Sequence, residues 1–209
     1  MPRLKPQTQF LLRGSALIVA LLVVWWLLLL TPMARGLQIA AGAFLQIQET
    51  STGDWTVKVP LERVLPATPG QPVAQQIHSI EFDIAHTDLV AFTFSLPVYW
   101  AIILAAPDLR RNLRVLAMGT LLMALLDLAM LFAFAQISAR NAVSQLGGAD
   151  GAFSKWARHL GEYLIVSVLP FITPFLIALW LHPALRAEIL PGFAKPEPPP
   201  PARRAKKRR

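Results

Sequence analysis

The chain has no cysteine, which excludes disulfides, thiolate metal sites and cysteine nucleophiles. Charge is scarce as well: 15 % of residues are charged, 55 % are hydrophobic, and only 12 are acidic. A soluble domain carries more charge and sets its apolar residues at amphipathic spacing. Here they arrive in long blocks, as in segments solvated by lipid. Neither G-x-S-x-G, H-E-x-x-H nor a phosphate-binding glycine loop occurs. Ser79 beside His78 and Ser154 near His159 are coincidences expected at this length. The net charge of +8 does not point to nucleic acid, because six of the 20 basic residues crowd into the last seven positions and no segment supplies a basic face on a soluble core.

Four apolar blocks are present. After a basic N-terminus (residues 1–13), the first spans 14–33, some twenty residues without a charge. At 1.5 Å per residue that is roughly 30 Å, the thickness of a bilayer core. Arg3, Lys5 and Arg13 would also suit a signal peptide, but the run is too long and Pro32-Met33-Ala34 is a poor cleavage site, so an uncleaved signal-anchor is expected. The other blocks span 89–106, 115–137 and 161–181. Pro97, Pro170 and Pro174 predict kinks within helices, because neighbouring helices re-satisfy the freed carbonyls.

Basic residues set the orientation. With the N-terminus inside, fourteen fall on the cytoplasmic side: Arg3, Lys5 and Arg13, then Arg110, Arg111 and Arg114, then Arg186, Lys195 and the terminal six. Arg35, Lys58, Arg63, Arg140, Lys155 and Arg158 fall outside. Both termini are thus expected in the cytoplasm, with a cytoplasmic loop over 107–114 and an outer loop over 138–160. In that outer loop Phe153, Trp156, Ala157 and Leu160 share a helical face, the pattern of a short interfacial helix leading into span four.

Residues 34–88 form the one candidate for a folded lobe. Leu37, Ala40, Ala41, Phe44, Leu45 and Gln48 lie at helical spacing. Trp55, Val57, Val59 and Leu61 then alternate with polar residues as in a half-buried strand, which Pro60 would confine to an edge. After PATPGQP, Ile80, Phe82 and Ile84 make a second strand. Two strands cannot stabilise themselves in water, so their apolar face must pack on the preceding helix, on lipid headgroups or on another protein. The expected architecture is mainly α: an integral membrane protein of four transmembrane helices with a small α+β extracytoplasmic lobe between helices one and two.

The tail over 182–209 ends in a proline run and six cations, Arg203, Arg204, Lys206, Lys207, Arg208 and Arg209. It reads as a stiff extended spacer followed by a patch for anionic phospholipid headgroups, or as a plain positive-inside tail.

Asp127 is the one ionisable residue deep within a span. An unpaired charge there costs at least ~2.5 kcal/mol on insertion scales, so it should face the bundle, protonated or hydrogen-bonded. Thr93, Ser95 and Tyr99 of span two, or Ser167 and Thr173 of span four, are its possible partners. It could serve as an ion relay, as a contact for a partner's charge, or as interhelical glue. His78 and His86 would stand roughly 26 Å apart on a strand, opposite Glu81 and Asp83, and so cannot share an ion unless the chain turns sharply between them. His159 and Glu162 fall short of a site. No cofactor is expected.

The stretch KPQTQFLL before the signal-anchor, and IHSIEFDIAHTDLVAFTFSLPVYWAIILAAP leading into span two, resemble the bacterial exosortase H-associated membrane proteins, SLPVYWAIILA most of all. Such proteins accompany an exosortase, a multi-spanning, cysteine transpeptidase-like enzyme acting on sorting signals of exported proteins. The resemblance implies a non-catalytic inner-membrane accessory that binds this membrane-protein partner through the outer lobe and span two. Asp127, Leu96, Pro97, Tyr99 and Trp100 are the candidate partner or bundle contacts. The competing reading is a small transporter or ion-coupled subunit with Asp127 as its relay.

Overall fold

The computed structural model describes residues 6–50, 53–65, 75–106, 109–145 and 151–189. Residues 190–209, with the proline run and the cations Arg203 to Arg209, and the whole of the 66–74 linker lie outside them. Among the described residues four helical runs are long and apolar enough to cross a bilayer: Phe10–Ala41, His86–Ala105, Asn112–Gln145 and Ala152–Leu181.

The first run comprises α1 (Pro6–Val24), a π segment (Trp25–Leu29) and α2 (Leu30–Ala41). The last comprises α5 (Ala152–Tyr163), a second π segment (Leu164–Val168) and α6 (Leu169–Leu181). Both π segments have the same cause in the sequence. A proline has no N–H to give the carbonyl four residues before it. The carbonyls orphaned by Pro32 and Pro170 are those of Leu28 and Val166, each inside a π segment, where the widened register re-routes the hydrogen bonds. The helices therefore run through their prolines.

Helix α3 (His86–Ala105) is the hub. It is apolar all round, and Phe92, Leu96, Tyr99 and Ile103 are buried within it, as a central helix requires. Helix α1 packs on α3, antiparallel to it, with Gly14 against Ala105. Beyond the π segment α2 packs on both α3 and α4 (Leu109–Gln145). Helices α4 and α5 run past their apolar blocks. At 37 residues α4 is about 55 Å long, well over a bilayer core. A short helix α7 (Pro183–Ile189) follows α6.

The lobe is a three-stranded antiparallel sheet in the order β1 (Gln46–Glu49), β2 (Trp55–Leu65), β3 (Gln75–Ile84). The strand β1 was not foreseen. Helical spacing continues past Ala41 in the sequence, but the helix closes at Gly42, and Gln48 lies in β1, paired with Thr56. Pro60 sits in the central strand, yet β1 pairs only with residues 55–58. At Pro60 the strand has one neighbour, Ser79, and the register shifts just beyond it. The proline is thus at a local edge.

One face of the sheet carries Trp55, Val57, Val59, Ile80 and Ile84, all buried. It shares a hydrophobic core with Ala41, Leu45, Leu89, Phe92, Leu131, Phe134, Ala135 and Ala139. Of the three supports open to the strands, the chain uses its own helices. Asp54 fastens the junction by accepting a hydrogen bond at 2.9 Å from the His86 N–H, at the first turn of α3.

Candidate functional site

Asp127 lies on α4 and is 3 % exposed. Its partner is Ser95, near the middle of α3, whose hydroxyl lies 3.0 and 3.1 Å from the two carboxylate oxygens. The other possible partners are committed elsewhere. The Thr93 hydroxyl donates within its own helix to the carbonyls of Leu89 or Val90, at 3.2 and 3.3 Å. Tyr99 donates to the Val115 carbonyl at 2.6 Å, and Thr173 to the Leu169 carbonyl at 2.8 Å. Ser167 is exposed on the far helix.

A slot of about 240 Å³ opens beside the carboxyl. It is walled by Met33, Gly36, Leu37 and Ala40 of α2, by Thr93 and Leu96 of α3, and by Ala124, Asp127 and Leu128 of α4. Small side chains make the room. A Cβ placed on Gly36 would meet nothing within 4 Å. A carboxylate offers about four acceptor positions, and Ser95 has one proton to give. The arrangement is an acceptor-rich group on the wall of an apolar slot, able to hold a hydrogen-bond donor that enters from the side.

The other candidate residues sit around this centre. Leu96 lines the slot, and Pro97 lies buried inside α3. Tyr99 is fully buried against Gly119. Trp100 is half-buried and donates from Nε1 to the Thr120 hydroxyl at 2.8 Å. Thr120 in turn donates to the Leu116 carbonyl. Leu96 thus flanks the carboxyl, and Tyr99 and Trp100 knit α3 to α4.

Sequence reasoning missed a second polar centre at the opposite end of the bundle from the sheet. His182 and Asn112 are both fully buried. His182 Nδ1 accepts the Leu185 N–H at 3.0 Å, so its Nε2 carries the proton and donates to Asn112 Oδ1 at 2.9 Å. Asn112 Nδ2 then donates to the Ala106 carbonyl at 2.8 Å. One chain of bonds ties the foot of α3, the start of α4 and the α6–α7 corner. The available signal was an uncharged Asn among three arginines (Arg110, Arg111, Arg114) at the foot of a span, and a His-Pro pair closing the last one.

Beside the sheet, Arg158 donates from Nε to Asn141 Oδ1 at 2.8 Å, and Asn141 Nδ2 donates to Glu162 at 3.2 Å, joining α4 to α5. Phe153, Trp156 and Tyr163 of α5 face outward. His78 is on β3, whereas His86 opens α3 rather than continuing the strand. Among the described residues no group of three His, Cys, Asp or Glu side chains is placed to hold a metal.

A family model described as exosortase H-associated membrane protein matches residues 4–185. That match takes in all four apolar helices and the lobe. The chain belongs to this family. No curated protein and no solved structure matches it.

Proposed function

We propose that this member of the exosortase H-associated family is a non-catalytic accessory of the bacterial inner membrane that binds an exosortase and scaffolds it during protein sorting at the envelope. The family match over residues 4–185 carries the reading. It joins a chain with four apolar helices and no cysteine to a family whose name is that of a companion protein. The basic-residue asymmetry supports cytoplasmic termini, and with them a lobe on the outer side, where an exported substrate would pass. The cations Arg203 to Arg209 suit anionic lipid on the inner face.

The test is co-purification. Tagged full-length chain, extracted in mild detergent from cells that co-produce exosortase H, should retain that enzyme at near-stoichiometric yield, and an unrelated four-span protein should not. Equal recovery with both baits overturns the reading. One observation favours an ion-coupled subunit instead, namely the buried Asp127 carboxyl on an open slot. Under that reading Asp127→Asn abolishes ion movement and leaves recovery of the exosortase unchanged.

A further inference from the structure

We propose that the slot beside Asp127 is the receptor for a transmembrane helix of the partner, and that it takes a cationic hydrogen-bond-donating side chain from that helix: Arg or Lys. This rests on the association proposed above and names the surface that makes it.

Three observations converge on the slot. First, a carboxyl at mid-membrane depth is costly unless it is partnered, and Asp127 has one neutral hydroxyl against its acceptor capacity. Thr93, the other polar side chain on the wall, directs its proton to its own helix backbone. The unfilled capacity is for donors, and among the described residues Ser95 alone supplies one.

Second, the slot is built for close approach. Gly36 and Ala40 stand one helical turn apart on α2, with Ala124 across from them on α4. Small residues at such spacing let helix backbones come near enough for a side chain to reach across. Open space at the Gly36 Cβ position shows that the described residues do not use this room.

Third, the slot adjoins a broad apolar face. Leu121, Leu125 and Phe132 of α4 are exposed, and a second hollow lined by Phe44, Leu45, Leu125, Leu128, Ala129 and Phe132 continues it toward the sheet. A helix lying along this face would bury apolar surface over several turns and present one polar side chain to Asp127. Lipid could cover the apolar face but has no donor to offer a carboxyl at that depth. The donor is what selects a polar-bearing helix as the occupant.

The experiment uses full-length chain co-produced with exosortase H and recovered in mild detergent. Asp127→Asn keeps an acceptor for Ser95 and removes the negative charge. Gly36→Leu fills the slot, and Gly36→Ala leaves most of it open. Ile39→Ala alters an exposed α2 residue off the slot wall. Monodispersity and unfolding of each variant alone establish that it folds.

Retained exosortase should fall about tenfold for Asp127→Asn and for Gly36→Leu, the scale of one interhelical polar contact. It should stay at the wild-type level for Ile39→Ala, and should fall less for Gly36→Ala than for Gly36→Leu. A benzophenone amino acid at Leu121, beside the slot, should form an adduct of the combined mass of the two proteins. If the wild-type chain retains exosortase and the Asp127 and Gly36→Leu variants retain it equally, the slot proposal fails and the association stands. If wild type retains none, both fail. An adduct only with a second copy of the chain, or only with lipid, also overturns the slot as the partner's seat.

Discussion

Gly119→Ala is the sharpest probe of how the bundle is held. A Cβ at residue 119 would lie 1.8 Å from the Tyr99 hydroxyl oxygen, 2.1 Å from Cζ and 2.7 Å from Cε1. Ordinary carbon contacts are about 3.5–4.0 Å, so the ring must move by well over an ångström. Tyr99 is fully buried and cannot swing into solvent. Forcing an extra carbon into a packed core costs about 1–3 kcal/mol, and losing the Tyr99–Val115 bond costs about 1 kcal/mol more. Alanine returns up to about 1 kcal/mol through its better helix propensity.

The net expectation is a loss of about 1–3 kcal/mol, measured by equilibrium unfolding in detergent with the six tryptophans as reporters. The decisive step is a cycle with Tyr99→Ala. Without the ring, Gly119→Ala should cost nothing, or stabilise slightly. An equal loss from Gly119→Ala in both backgrounds would refute the claim that the phenol is what requires glycine there.

Two further outcomes are expected. Asn112→Ala removes the Nε2 acceptor of His182 and the donor to Ala106, so stability should fall by about 1–3 kcal/mol; α7 should then be cut sooner by trypsin at the exposed Arg186, and unchanged cleavage would mean that the polar clamp does not hold α7. For topology the native chain offers a cysteine-free background: Gln48→Cys on the exposed side of β1 should react with an impermeant maleimide in intact spheroplasts, and Arg186→Cys only after permeabilisation. The reverse pattern would invert the proposed orientation. Asn112, in the loop that the sequence assigns to the cytoplasm, is buried and would not serve as a label site.

The sequence by itself determined the four helices, because a bilayer demands about twenty apolar residues per crossing and leaves a long, uninterrupted signal. It also determined the alternation of Trp55, Val57 and Val59, and the exceptional standing of Asp127, since each is a local pattern or a local cost. Tertiary structure alone decided what those features meet. That Ser95 is the partner of Asp127, rather than Thr93, Tyr99, Ser167 or Thr173, depends on how α3 is rotated against α4, and an apolar helix of low amphipathicity does not encode its own rotation. The short strand β1 forms because β2 offers it a neighbour, and Pro60 is tolerated because β1 ends first; both are facts of pairing. Asn112 and His182 lie seventy residues apart in the chain and come within 2.9 Å only when three helices converge. Burial periodicity is written residue by residue, whereas polar partnership is a property of two surfaces brought together, and only the packed bundle states it.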